Sequence, residues 1–319
     1  MSTIETGFTV LQPGILALLQ DAGRFGQHAI GLTNGGPLDR LSFDWANRLC
    51  GNDQNACAIE ASIGGLILQA EIDTQIAITG GDAPLTINGQ SVAPWQTHAI
   101  TKGDKLGFGF SQTASRHYLA VNGGFQLEPM FGSCSTVTRE KLGGLNGAAL
   151  QINDKLPCIT PPVDTIKPLR VNNASRPDYS GEVVLRVILG YQHAAFSHVQ
   201  KARFFNNTFE LSDKCDRMGF RLAGPDIQSG ISGMLSEGIC YGAIQIPADG
   251  QPIVLLNDRQ TIGGYPKMGS VLSLDIPKLT QRMPGTAVRF EAITIDEAQR
   301  QLHLANYRYQ QAALTPINP

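Results

Sequence analysis

Charge is what the chain has least of. Of its 319 residues only 16% are Asp, Glu, Lys or Arg, against roughly 25% in an ordinary soluble domain. The net charge of −2 leaves no basic surface for nucleic acid. Disorder is equally excluded, because it needs high net charge and few apolar residues, and 42% of this chain is hydrophobic. No apolar run reaches the length of a membrane span or a signal-peptide core, so the expected location is the cytoplasm. The six cysteines form no Cys-x-x-Cys pair, which removes zinc knuckles and thioredoxin-like redox sites and predicts reduced, buried thiols.

The usual catalytic signatures are missing as well. There is no Gly-x-x-x-x-Gly-Lys-Ser/Thr loop, no His-Glu-x-x-His and no Gly-x-Ser-x-Gly; Gly132-Ser133-Cys134-Ser135-Thr136 only resembles the last in composition. No metal site is expected. Pro266-Lys267-Met268 lacks the first methionine of a biotin-attachment sequence, so any biotin would ride on another chain.

What the chain has in excess is glycine, 35 residues, about 11% where about 7% is usual. Short apolar runs alternate with these glycines: 77–79, 85–87, 106–108, 118–121, 183–188 and 253–256. Such spacing predicts a mainly β protein of barrels or sandwiches, and Asn88-Gly89 supplies the positive φ of a hairpin turn. Two helices are expected. One opens at Pro37 and buries Leu38, Leu41, Trp45 and Leu49 before Gly51. The other opens at the capping box Thr294-Ile295-Asp296-Glu297 and buries Ile295, Ala298, Leu302 and Ala305, with a fraying tail beyond Tyr309. A weak repeat relates 62–106 to 236–288 and suggests duplication of one barrel. The expected joint runs from Thr160-Pro161-Pro162-Val163 to Arg176-Pro177-Asp178, giving domains 1–165 and 166–319.

Three polar stretches carry unusual residue choices: Gln20–Gly26, Cys215–Arg221 and Gln251–Lys267. In the last, an apolar strand delivers Asn257, Asp258, Arg259 and Gln260 towards Gly263-Gly264, with Tyr265 and Lys267 close behind. Adjacent glycines allow close backbone approach to a ligand or another chain, but a tight turn with a structural Asp-Arg pair fits equally well.

These stretches, with Gly36-Pro37-Leu38-Asp39, Ala46-Asn47-Arg48-Leu49-Cys50-Gly51-Asn52, Tyr118–Gly124, Arg217–Leu222 and Gly242–Pro247, carry a resemblance that runs from about residue 4 to 300. The chain resembles the C subunits of prokaryotic 5-oxoprolinase. That group lies within the biotin-dependent carboxyltransferase-like family, with the allophanate hydrolase subunit 2-like proteins and the antagonist of the sporulation-kinase inhibitor. The resemblance implies two tandem cyclophilin-like β-barrel domains with a few short helices, and A- and B-type partner subunits. It implies ATP-dependent opening of 5-oxo-L-proline to L-glutamate in the complex. Alternatives within the same family are a carboxyltransferase working with a separate biotin carrier, and a regulator that binds a kinase-inhibitor partner. One departure stands out: Leu189-Gly190-Tyr191 replaces the usual Pro-Gly-Pro, which implies a more flexible loop.

Lactam opening driven by ATP needs donors for phosphate and a developing oxyanion, and a base for water. This chain offers Asp258, Lys267 and Glu237 as catalytic candidates. Arg24, Asn47, Glu60, Arg217, Gln245, Gln260, Gly263, Gly264 and Tyr265 are candidates for substrate or anion binding. Asp258 can act as a base or orient Arg259, and Glu60 and Glu237 occupy corresponding places in the repeat, from which either can face a cleft.

Overall fold

The computed structural model describes residues 4–159, 168–231 and 234–317. Contacts divide the chain into two compact units: 1–25, 35–178 and 312–319 form the first, and 26–34 with 179–311 form the second. The start of the expected joint, residues 160–163, lies outside the described residues. The described residues are mainly β, with four α-helices of 5 to 17 residues.

The first unit holds two sheets. One runs in the order Lys155–Ile159, Ile4–Pro13, Leu66–Ala70, Lys105–Phe108, Leu85–Ile87, Gln90–Val92. The other runs Leu16–Gln20, Ala58–Ser62, Arg116–Val121, Thr74–Gly80, Gln96–Ile100, Leu169–Val171, Leu314–Pro316. Strand alternation sends Phe8, Val10, Leu68 and Leu106 from the first sheet and Ile59, Ile76, Ile78 and Leu119 from the second into one core. The hairpin at Asn88-Gly89 forms as expected, with both residues at positive φ and Ile87 paired to Gln90.

The opposite face of the second sheet takes the helix Arg40–Leu49. Asp39, rather than Pro37, sets its start: the Asp39 carboxylate accepts from the Ser42 amide at 3.1 Å and the Ser42 hydroxyl at 2.6 Å. Trp45, Ala46 and Leu49 face inward with Phe43, whose ring meets Tyr118 edge-on, while Leu41 turns outward.

The second unit closes. Its barrel runs Val183–Leu189, Lys267–Val271, Ala243–Gln245, Ile253–Leu255, Gly219–Ala223, Phe209–Cys215, Ala287–Ala292 and back to the first strand through a parallel pairing. Closure leaves this barrel without an exposed sheet edge. The helix His198–Asn206 drops Phe204 onto Phe290, ring centroids 4.3 Å apart, beside Phe209. The helix Ile295–Gln311 starts at Thr294, whose hydroxyl accepts from the Glu297 amide at 3.2 Å. Of its expected stripe only Ala298 is fully buried, and Ile295 is exposed. The segment after Tyr309 departs from the expected frayed tail: Leu314–Pro316 pairs with Leu169–Val171 and Arg48 donates to the Ala312 carbonyl.

Candidate functional site

The first unit gives each of its predicted site residues an internal partner. Arg24 is fully buried, and its guanidinium donates to the carbonyls of Met130, Ser133 and Ser135 at 2.9–3.3 Å. Asp21 grips the same loop, accepting from the Ser133 and Ser135 hydroxyls and from the Cys134 amide, each at 2.6 Å. Asp21 and Arg24 with Ser133, Cys134 and Ser135 therefore form one largely buried knot, which the sequence shows only as two separate polar segments. Asn47 donates to the Ala56 carbonyl and accepts from Asn52, each at 3.0 Å. Glu60, only 1% exposed, accepts at Oε2 from the Leu38 amide at 2.8 Å and the Tyr118 hydroxyl at 2.7 Å. Tyr118 in turn accepts from the Asp39 amide at 2.7 Å. Glu60 thus anchors the entry of the helix Arg40–Leu49.

In the second unit, Arg217 and Asp258 face each other as a buried bidentate pair at 3.0 and 3.1 Å. Asp258 orients Arg217, not Arg259. Arg259 points elsewhere, donating to the Ile239 and Leu256 carbonyls and to Asn34 at 3.1–3.2 Å. Burial holds its pKa below the ordinary arginine value.

The remaining predicted residues come together. The short strands Glu237–Gly238 and Ile262–Gly263 pair, setting Glu237 opposite Gly263, and Gln245 pairs with Lys267 across neighbouring barrel strands. Lys267, 8% exposed, donates from Nζ to Glu237 Oε1. Two residues outside the candidate site set join them: Tyr191 donates its hydroxyl to Glu237 Oε2, and Gln192 donates to Oε1 while accepting the Lys267 amide at 2.8 Å. Hydrogen bonds from Lys267 and then Tyr191 hold the Glu237 carboxyl below its ordinary range, and Glu237 raises the Tyr191 phenol. Tyr191 and Gln192 lie in the 3-10 turn Tyr191–Ala195, tied down where the substitution of Pro-Gly-Pro implied a loose loop. The signal for them was that departure itself.

Gln245, whose strand pairs with that of Lys267, lines a cavity of about 480 Å³ together with Gln260, Tyr265, Met218, Ile253 and Leu255. A Cβ at Gly263 would come within 2.5 Å of Ile239 Cδ1 and 2.8 Å of Gln245 Nε2, so both side-chain ends would have to shift to admit one. Gly264 has more room, its nearest neighbour being the Met234 carbonyl oxygen at 3.2 Å.

Among the described residues no group of three or more His, Cys, Asp or Glu side chains is placed to hold a metal ion. All six cysteines are free; Cys50, Cys57 and Cys158 are buried, which pushes their thiols well up, whereas Cys240 is exposed. Among the described residues no helix is long and apolar enough to cross a membrane.

The chain belongs to the carboxyltransferase domain family, subdomains A and B, whose match spans residues 30–292. Within it, the chain is 33% identical to the C subunit of 5-oxoprolinase from Haemophilus influenzae over 89% of its own length and 90% of that protein's. It is 32% identical to the Escherichia coli protein of the same name over 91% and 92%. The Kluyveromyces lactis urea amidolyase structure superposes with a TM-score of 0.89 at 25% identity over 97% of this chain. The chain spans only 20% of that larger protein.

Proposed function

We propose that this chain is the C-type subunit of an ATP-dependent 5-oxoprolinase, a cyclic amide hydrolase that opens 5-oxo-L-proline to L-glutamate together with A- and B-type subunits in the cytoplasm. The observation that carries this reading is end-to-end similarity, above 30% identity, to two proteins named as that subunit. ATP is the co-substrate of the assembled complex, and any biotin would ride on another chain. Its own contribution is the Lys267–Glu237–Gln192 cluster, a fixed ammonium and carboxylate whose lysine strand pairs with that of Gln245. An ammonium there stabilises an oxyanion developing on a carbonyl, and the carboxylate beside it takes up a proton or orients a donor.

Co-expression with the A- and B-type partners tests this. The full set is expected to release glutamate from 5-oxoproline in an ATP-dependent manner, and activity no higher than that of the two partners without this chain overturns the proposal. The close superposition on a urea amidolyase favours a second reading, carboxyl transfer with a separate biotin carrier. Carboxylation of an amide substrate from carboxybiotin by this chain, with no lactam opening in the full set, would select that reading.

A further inference from the structure

The two oxygens of Glu237 are used unequally. Oε1 accepts from both Lys267 Nζ and Gln192 Nε2, and the main-chain amide of Lys267 is held by Gln192 Oε1, so the lysine is fixed at its backbone and at its tip. Oε2 accepts from the hydroxyl of Tyr191, a residue 75% exposed. One carboxylate oxygen is therefore built into the protein, and the other meets the surface through a group that solvent can replace. An ammonium has three N–H donors, and Lys267 gives one of them to Glu237. Beside the pair the surface is bare backbone at Gly263, and behind that glycine Gln245 Nε2 is a buried donor with no partner among the described residues.

An acceptor and a donor held side by side match a ligand edge of opposite order, N–H next to C=O. Lactams, primary amides and ureas present that edge; esters and N-alkylated lactams do not. We propose that Glu237 and Lys267 read the cis-amide edge of the ligand, Glu237 Oε2 accepting its N–H and Lys267 donating to its carbonyl, with the Tyr191 hydroxyl standing where the ligand N–H will bind. Tyr191 is then a positioning residue, a cap that the ligand displaces. The inference rests on the proposed function insofar as 5-oxoproline is such an amide.

The test uses the full chain alone, with 2-pyrrolidinone as probe and N-methyl-2-pyrrolidinone as the control that lacks the donor, both titrated by ligand-observed NMR. The control is expected to bind at least about tenfold more weakly, the loss of one hydrogen bond to a charged acceptor. Tyr191→Phe removes the competing hydroxyl and is expected to tighten the lactam about threefold, well inside the worth of one exposed hydrogen bond. Glu237→Leu is expected to erase the preference between the probes. Lys267→Met is expected to weaken both probes alike while preserving the preference, and it keeps the test alive if Glu237→Leu does not fold. Equal binding of the two probes, no saturable binding of either, or weaker lactam binding in Tyr191→Phe overturns the proposal. Neither ATP nor partner subunits enter this measurement. Failure of the reconstituted complex to make glutamate would leave the probe preference standing, and loss of the preference would leave the glutamate assay unaffected.

Discussion

Glu60 in the first unit and Glu237 in the second each accept a hydrogen bond from a tyrosine hydroxyl. There the likeness stops. Glu60 is sealed beneath the helix Arg40–Leu49, where it satisfies a main-chain amide and a phenol that have no access to water. Glu237 sits at the rim of the barrel, tied to a lysine on one side and to an exposed phenol on the other. The same pair of side chains serves as a strut when both are desolvated and as an addressable acceptor when the tyrosine faces solvent.

The comparison can be broken most directly at Glu60. Glu60→Ala strands the Leu38 amide and the Tyr118 hydroxyl in a dry interior, with an expected loss of about 4 kcal/mol of stability in urea unfolding, two unsatisfied buried groups and a cavity together. A loss below about 1 kcal/mol, the range of an exposed pair, would remove the distinction between strut and acceptor. Asp258→Ala ranks next: it takes the bidentate carboxylate away from the buried Arg217 guanidinium, at an expected cost of about 3 kcal/mol. Loss of activity in the complex with unchanged stability would instead make Asp258 a chemical group.

Acid should separate the units. Burial lowers His117, 1% exposed in the first unit, to about pKa 4. The folded form therefore stays neutral while the unfolded chain takes up a proton below about pH 6.5. Stability tied to this group is complete above about pH 6.5 and falls as pH drops from there to about 4, by about 3 kcal/mol in all. Hydrogen exchange read unit by unit should show that slope in the first unit, and His117→Gln should flatten it. In the second unit, Asp275 behaves differently. Burial alone would raise it, but Arg186, at 2.7 Å to both oxygens, and Lys278 hold it below the ordinary carboxylate range. Its contribution is present above about pH 4 and is lost only as pH falls below that. The smallest effect is expected at Glu237→Gln, within about 1 kcal/mol of the parent because the pair it breaks is partly solvated, yet with most of the activity of the complex gone. A large stability loss there would erase the contrast with Glu60.

Local chemistry is what the sequence displays, and local structure followed from it. Asn88-Gly89 and the Thr294 cap could be read directly, because each signal lies within four residues, although the Glu297 carboxylate turns to Arg300 and Gln301 and does not close the expected box. Burial is decided by packing from elsewhere in the chain. Arg24 and Asp21 look like an exposed charged turn until residues 130–136 fold over them, more than 100 positions away. The same gap hides Tyr191 and Gln192, whose partners Glu237 and Lys267 lie about 45 and 75 positions downstream. Ile295 satisfies the helical spacing and still faces solvent, since periodicity marks which residues share a face but not whether anything covers it.

The chain leaves the first unit after residue 25, returns at 35, departs again after 178 and comes back at 312. The strand Leu314–Pro316 closes the edge of a sheet whose other members are made early. During synthesis that edge, with its unpaired amides and carbonyls, must wait until the residues between Val171 and Pro316 have followed it out of the ribosome. Throughout that interval a nascent first half exposes a strand edge able to pair with another nascent chain. The order in which the polypeptide emerges thus sets a window of vulnerability that the finished fold conceals.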